Sequence, residues 1–294
     1  MGFHVITDTS ANLPSDLAAE RGLEVIPFSY YVNGREMTCT DTKSFDAESF
    51  YYDLGHGAKV TTSQVNPGIY IEHFRKYLEK GDVIYISMSS GISGSCSNAL
   101  AAARELGPEF PDRRIEVIDT RGAALGEGLI ALEAARLRDM GIDLDQAVMI
   151  LSDMCERMFN VFTVDDLMFL RRGGRLSNLS AIVGTVLRIK PILKGSETGQ
   201  IVAFAKVMSR KRSVNALASL YEKLVVDPAS QTVGIVHAGC RDDADHLSSL
   251  INKNLPPREI LLVDYEPVTG SHVGPGALAL FFLSKKGVRS TDSL

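Results

Sequence analysis

The chain has 294 residues, 45% of them hydrophobic, which is enough for two domains of ordinary size and too apolar for wholesale disorder. Its net charge of −5 argues against a nucleic-acid partner held by charge over a broad face. Four scattered cysteines without a Cys-x-x-Cys pair predict neither a metal site nor a disulfide framework, which fits a reducing cytoplasm. No signal peptide and no membrane-spanning run is expected.

The first half of the chain alternates β-branched runs with Ala-rich or amphipathic stretches. This alternation is typical of βαβ units and predicts a mainly parallel sheet. Predicted strands cover residues 3–7, 23–28, 82–87 and 114–119, and predicted helices cover 15–21, 67–80, 98–106 and 123–140. Asn66-Pro67 is a helix cap followed by a first-turn proline.

Around Cys155 the rhythm changes, and the remaining residues predict a second α/β domain whose strand directions stay open. Its strands are expected at 158–163, 201–207, 232–237 and 259–263, and its helices at 165–171, 178–187, 213–225 and 242–254. The fold class is therefore α/β, with an N-terminal domain over residues 1–156 and a C-terminal domain over 157–294.

The stretch 82–106 carries the first functional signal. A buried strand breaks into a Ser/Gly turn over 89–95, and a strong helix former follows it. Small hydroxyls and free N–H groups at a helix N-terminus suit an anion. The turn lacks the Lys of a P-loop and the spacing of a dinucleotide fingerprint, and it is equally compatible with an ordinary tight turn.

Three further segments concentrate polar or charged side chains next to glycines or helix starts. Thr61-Thr62-Ser63-Gln64 places hydroxyls ahead of a helix, and Gly270–Gly276 surrounds His272 with glycines in what is predicted to be a rigid loop. Residues 165–175 end in Arg171, Arg172 and Arg175 around a Gly-Gly bend, which on its own is also typical of a solvated basic surface.

Hydroxyls and a histidine without paired carboxylates favour holding an oxyanion over breaking a bond. The alternative is a serine hydrolase acting on a lipid ester, with Ser93 as nucleophile and His272 as base. It needs a third group to orient the histidine, and no nearby acid is evident in the sequence. We therefore prefer a binding function.

Taken in order, the clusters resemble motifs of the DegV family across nearly 270 residues. The similar segments are Asp8-Thr9-Ser10, Thr62-Ser63-Gln64, Ser89-Ser90-Gly91-Ile92-Ser93-Gly94-Ser95, the run from Asp166 to Ser177 and the run from Gly270 to Gly276. The resemblance implies a two-domain α/β protein with one long-chain fatty acid buried between the domains. It further implies a cytoplasmic bacterial protein without cofactor, catalytic residues or stable membrane insertion.

Some members of that family are the binding subunit of a fatty acid kinase, presenting the carboxylate to a separate ATP-dependent subunit that forms an acyl phosphate. Carried over by position, the carboxylate-binding residues would be Thr62, Ser63, Ser93, Gly94 and His272. The residues facing phosphate or the kinase partner would be Arg171, Arg172 and Arg175. The aromatic segment 45–52 and apolar helix faces are candidates for the wall of the acyl tunnel.

Overall fold

The structure is a computed structural model that describes residues 2–176 and 189–290. The chain divides into two compact units. The first unit comprises Met1–Phe45 and Val60–Cys155, and the second comprises Asp46–Lys59 and Glu156–Leu294. The segment Asp46–Lys59 thus belongs to the second unit, whereas a single cut at residue 156 had placed it in the first half. The two domains drawn from the sequence stay a prediction.

The strands and helices predicted up to residue 157 are present, and three short strands between residues 29 and 62 were not predicted. The strands are β1 (Phe3–Asp8), β2 (Glu24–Ile26), β3 (Ser29–Val32), β4 (Arg35–Thr38), β5 (Val60–Thr62), β6 (Asp82–Ser87) and β7 (Ile115–Asp119). The helices are α1 (Ser15–Glu20), α2 (Ala47–Gly55), α3 (Pro67–Leu78), α4 (Ser95–Leu106), α5 (Leu125–Asp139) and α6 (Leu144–Arg157). Helix α2 lies in the second unit, and α6 was not predicted.

The main sheet of the first unit is parallel, with strand order β2-β1-β6-β7. Residues Val83 to Ser87 of β6 are all buried, as expected for a strand covered by helices on both faces. The mainly parallel N-terminal sheet is therefore confirmed. The carboxyl ends of β1, β6 and β7 share one edge, where ligands bind in open sheets of this kind.

A small antiparallel sheet of order β4-β3-β5 accompanies it. The turn between β3 and β4 has positive φ at Asn33 (50°) and Gly34 (86°), a backbone conformation that an Asn-Gly pair adopts readily. Asn66 caps α3 by accepting a hydrogen bond from the Ile69 N–H at 3.2 Å, which confirms the predicted start of that helix.

The second unit contains a mixed sheet and several helices. Its strands are β8 (Met158–Thr163), β9 (Ile189–Gly195), β10 (Ile201–Met208), β11 (Thr232–His237), β12 (Glu259–Asp264) and β13 (Leu278–Leu283). Its further helices are α7 (Met168–Arg172), α8 (Arg210–Leu224), α9 (Arg241–Asn254) and α10 (Pro267–Val273). The helix predicted at 178–187 lies outside the described residues.

The strand order of this sheet is β10-β9-β8-β13-β11-β12. The pair β11–β12 is parallel, and the other neighbouring pairs are antiparallel, which settles the directions left open by the sequence. One face of the sheet packs against α8 and α9 in a fully apolar core that includes Phe159, Val161, Leu217, Leu247 and Phe282. Within residues 2–176 and 189–290, no helix is both long and apolar enough to cross a membrane.

Candidate functional site

The serine turn after β6 uses its first two serines to hold its own shape. The Ser89 hydroxyl oxygen accepts a hydrogen bond from the Gly91 N–H at 3.0 Å. Ser90 donates from its N–H (3.2 Å) and its hydroxyl (2.5 Å) to the carboxylate of Asp119, at the end of the neighbouring β7. These two side chains therefore lock the turn onto the sheet edge.

Ser93 lies one turn further on, directly before α4. Its hydroxyl oxygen accepts a hydrogen bond from the Ser95 N–H at 3.2 Å, and its hydroxyl donates to the Ser95 hydroxyl at 3.1 Å. The hydroxyl is thus held at the positive end of a 12-residue helix whose first N–H groups have no intrahelical acceptor. A hydroxyl and free N–H groups in this position can hold an oxyanion.

The Thr62-Ser63-Gln64 segment lies next to this turn in the same unit. Thr62 ends β5 opposite Tyr30, and the Ser63 N–H donates to the carbonyl of Ser29 at 3.1 Å. The Gln64 side chain lies against Gly94 so closely that a Cβ at Gly94 would overlap it. The structure therefore brings these two predicted segments together, and Gly94 provides the room.

Asn98 completes this arrangement and was missed by the sequence analysis. Its side-chain amide donates to the carbonyl of Val65 at 2.9 Å and reaches Gln64 Oε1 at 3.5 Å. An asparagine in the first turns of an Ala-rich helix gives no signal by itself. The role of Asn98 becomes visible only in the fold, which places it opposite the Gln64 segment.

A chain of buried hydroxyls, also missed, runs from the serine turn into the sheet. Ser95 hydrogen-bonds the hydroxyl of Tyr70, which lies 2.9 Å from the hydroxyl of Tyr85. Tyr85 donates to Asp8 Oδ2 at 2.6 Å, and Ser10 also donates to this carboxylate. Burial raises the pKa of Asp8 to about 6, against the lowering effect of these hydrogen bonds. The serine turn is therefore tied to the end of β1 through side chains alone.

In the second unit, His272 lies on a helix, so the expectation of a rigid loop is wrong at this residue. Helix α10 begins at Pro267, and the Glu266 carboxylate caps it by accepting from the N–H groups of Val268 (2.7 Å) and Thr269 (2.5 Å). His272 occupies its last turn, and Gly274 ends the helix with φ of 78°. The cap and the proline outweigh the low helix propensity of the glycine.

The glycines of this region mark close approaches between α10 and the arginine-bearing segment. A Cβ at Gly173 would overlap the His272 imidazole, and a Cβ at Gly274 would overlap the Phe169 ring. The two segments therefore interlock in a way that side chains at these glycines would prevent. This packing places the Gly-Gly bend directly beside His272.

Burial lowers the pKa of His272 to about 4, and the positive charge of Arg175 adds to the effect. The ring is therefore neutral at physiological pH, with one nitrogen as donor and the other as acceptor. Arg175 itself is half-buried and donates to the carbonyl of Gly173.

The other two arginines of the segment are exposed. Arg171 and Arg172 both lie on α7, and the Arg172 guanidinium stacks over the Phe169 ring at 5.6 Å from its centroid. Of the three predicted arginines, only Arg175 is placed by the structure beside His272, while Arg171 and Arg172 are available to bind a partner from solvent.

The aromatic segment before residue 53 has mixed roles. Tyr51 is buried in the second unit, where its hydroxyl donates to the carbonyl of Tyr265 at 2.7 Å. Tyr52 is 64% exposed, so it does not line an apolar tunnel in this structure. The role of Tyr51 is to anchor α2 to the loop before α10.

Comparisons with known proteins give relatives over nearly the whole chain. The model of the DegV family matches residues 2–285. A DegV domain-containing protein of Clostridium perfringens is 34% identical over 282 residues, which is 96% of this chain and 97% of the relative.

Solved structures agree with this relationship. A DegV family protein from Thermus thermophilus, described as fatty acid binding, has a TM-score of 0.87 at 28% identity and covers 97% of this chain and 100% of its own. DegV from Bacillus subtilis, described as a fatty acid binding protein, has a TM-score of 0.83 at 28% identity with the same coverage. The predicted α/β fold class is confirmed by the match to these structures.

The state of His272 gives a testable pH dependence. The folded protein keeps this ring neutral down to a pKa of about 4, whereas the unfolded chain protonates it near the ordinary value of 6.5. Acid therefore destabilises the fold between these two values, because unfolding binds a proton there. The titration of the His272 ring can be followed by ¹⁵N-edited NMR, with the signal assigned by its loss in His272→Gln. We expect a titration midpoint near pH 4. Arg175→Ala should raise this midpoint only slightly, because burial is the larger cause of the lowered pKa. A midpoint near 6.5 contradicts the buried position of the ring.

Proposed function

The chain belongs to the DegV family, and on that premise we propose that it binds one long-chain fatty acid through its carboxylate. The observation that carries the proposal is the hydroxyl of Ser93, held at the N-terminus of α4 next to the Thr62 segment. The relatives from Thermus thermophilus and Bacillus subtilis, both described as fatty acid binding, support the choice of ligand.

We propose that the carboxylate accepts hydrogen bonds from Thr62, Ser93 and His272, with Ser63 and Gly94 shaping the same segments; the Ser93 hydroxyl then turns its single proton from Ser95 to the ligand. Burying a carboxylate costs several kcal/mol unless donors converge on it. Each hydrogen bond to a charged group returns roughly 1.5–3 kcal/mol, so two hydroxyls and one neutral imidazole N–H offset that cost. The dipole of α4 adds a favourable term of about 0.3–1 kcal/mol.

The acyl chain supplies the affinity. Fifteen or so methylenes at about 0.8 kcal/mol each give about 12 kcal/mol, an upper bound before the chain is ordered. The polar groups therefore determine which end of the ligand enters the site, and the apolar chain determines how tightly it binds.

The finer proposal is that the protein presents this carboxylate to a separate ATP-dependent kinase subunit in the cytoplasm and then holds the acyl phosphate. The sequence has no phosphate-binding loop that ends in Gly-Lys-Ser/Thr, which favours a phosphoryl donor bound by another protein. Arg171 and Arg172 are exposed on α7, where guanidinium groups can bind phosphate oxygens or an acidic face of the partner.

The serine hydrolase alternative has no support from the two solved structures compared above, both of which are described as fatty acid binding. The Ser93 hydroxyl hydrogen-bonds to Ser95, a serine that cannot act as a general base. Ester turnover that disappears in Ser93→Ala is the result that would revive this alternative.

We expect protein purified from a bacterial host to release about one equivalent of long-chain fatty acid when it is denatured and examined by mass spectrometry. Ser93→Ala and Thr62→Ala each remove one donor to a buried anion and should weaken binding by about 1–3 kcal/mol, roughly 5- to 150-fold. Unchanged thermal unfolding should accompany the loss.

Ser249→Ala is the matched control, because the Ser249 hydroxyl donates to the carbonyl of Asp245 on the exposed face of α9. It should leave the lipid content unchanged. Full affinity in both Ser93→Ala and Thr62→Ala would move the carboxylate site elsewhere.

The role of the arginines is tested by Arg172→Ala. Because an acyl phosphate carries more negative charge than a carboxylate, the variant should retain bound fatty acid yet lose most acyl phosphate formation with the cognate kinase subunit. Arg212→Ala, which removes an exposed arginine from α8, should behave as the wild type. Normal acyl phosphate formation with Arg172→Ala would show that the three arginines are only solvated surface. Loss of bound lipid in this variant would instead assign Arg172 to the carboxylate site.

A further inference from the structure

Asn160, in the middle of β8, is the most unusual buried polar residue of the second unit. It is only 6% exposed, and neither its side-chain oxygen nor its nitrogen has a hydrogen-bond partner within residues 2–176 and 189–290. A buried amide with no partner is costly, and native proteins seldom keep one without a function.

Strand alternation defines which face of the sheet carries this amide. Phe159 and Val161 point into the core beneath α8 and α9, so Asn160 and Phe162 lie on the opposite face. Asn160 pairs with Phe281, and Phe162 pairs with Ala279 and with Leu193. The amide is therefore set among apolar side chains on a face that α8 and α9 do not cover.

Strands β8 and β13 both have one end near the residues proposed to bind the polar end of the ligand. The carboxyl end of β8 continues into the segment that carries Arg172, and β13 begins shortly after the helix that carries His272. Asn160 lies three residues back from Thr163 at that end, a distance of about 10 Å along the strand. An acyl chain that runs from a carboxylate at His272 back along β8 would bring its middle level with Asn160.

The amide needs both a donor and an acceptor, because its oxygen and its NH₂ group are both unpartnered. A saturated chain offers neither, and a double bond offers only a weak acceptor to the NH₂ group. A hydroxyl offers both from one atom. We infer that Asn160 is a specificity-determining residue and that the preferred ligand is a long-chain fatty acid with a hydroxyl near the middle of its chain. This inference rests on the proposed function.

The test is competition for labelled octadecanoic acid by octadecanoic, 10-hydroxyoctadecanoic and 2-hydroxyoctadecanoic acids, using the full-length protein. A site built to hydrogen-bond a hydroxyl discriminates strongly against the analogue that lacks it, so we expect the 10-hydroxy acid to bind about tenfold or more tightly than octadecanoic acid. The 2-hydroxy acid should show no comparable gain in affinity over octadecanoic acid. Asn160→Leu, which is close to isosteric, should abolish or reverse the preference, and Asn160→Ala should abolish it if the leucine variant folds poorly.

Thr163→Val is the matched control. Thr163 lies on the same strand, is fully buried and has a hydroxyl without a partner among the described residues, but alternation puts it on the core face with Phe159. This variant should keep the wild-type preference. Equal binding of the 10-hydroxy and unsubstituted acids by the wild type overturns the inference. That result would follow if a trapped water molecule, and not a ligand hydroxyl, hydrogen-bonds the Asn160 amide. A preference that survives Asn160→Leu also overturns it. A wild-type protein that binds none of the three acids overturns the proposed function itself.

Discussion

A carboxylate taken out of water loses several kcal/mol of hydration, and only converging hydrogen-bond donors restore it. The function proposed above depends on donors of this kind. In the first unit, Ser89 and Ser90 hold the turn, which leaves the Ser93 hydroxyl at the N-terminus of α4. In the second unit, burial keeps the His272 ring neutral at physiological pH, so the ring adds no buried charge of its own.

Both groups depend on close approaches that glycine permits. Gly94 makes room for Gln64, and Gly173 makes room for the His272 ring. A side chain at either position would displace a polar group by more than the tolerance of a hydrogen bond. Gly94 and Gly173 are therefore needed for close contacts between segments that are far apart in the chain. Backbone flexibility is the less important reason for a glycine at these two positions.

Much of the fold could be predicted because its signals are local. Strands β1 and β6 are rich in β-branched and aromatic residues, and α3 has its cap and its first-turn proline in the sequence. Strand β9 was missed because Pro191 interrupts a run that also carries two lysines. Helix α10 was mistaken for a loop because its glycine and its short length hide a capping signal that Glu266 provides.

The site residues show the same limit. Ser93, His272 and the arginines could be proposed from the sequence because each lies in a short segment of distinctive composition. Asn98, Tyr70 and Asn160 have ordinary sequence neighbours, and their importance comes only from which residues the fold places opposite them. Pairing across a sheet and burial are properties of the folded chain, so residue composition cannot reveal them.

Carboxyl-¹³C NMR of a labelled long-chain fatty acid bound to the protein tests the central claim most directly. If the carboxylate is held by buried donors, the bound resonance should not titrate from about pH 4 to pH 8, a range that spans the ordinary carboxyl pKa. The same resonance should shift in Ser93→Ala, because one donor is lost. A bound resonance that titrates like the free acid, or one unchanged by Ser93→Ala, would contradict a carboxylate held at the serine turn.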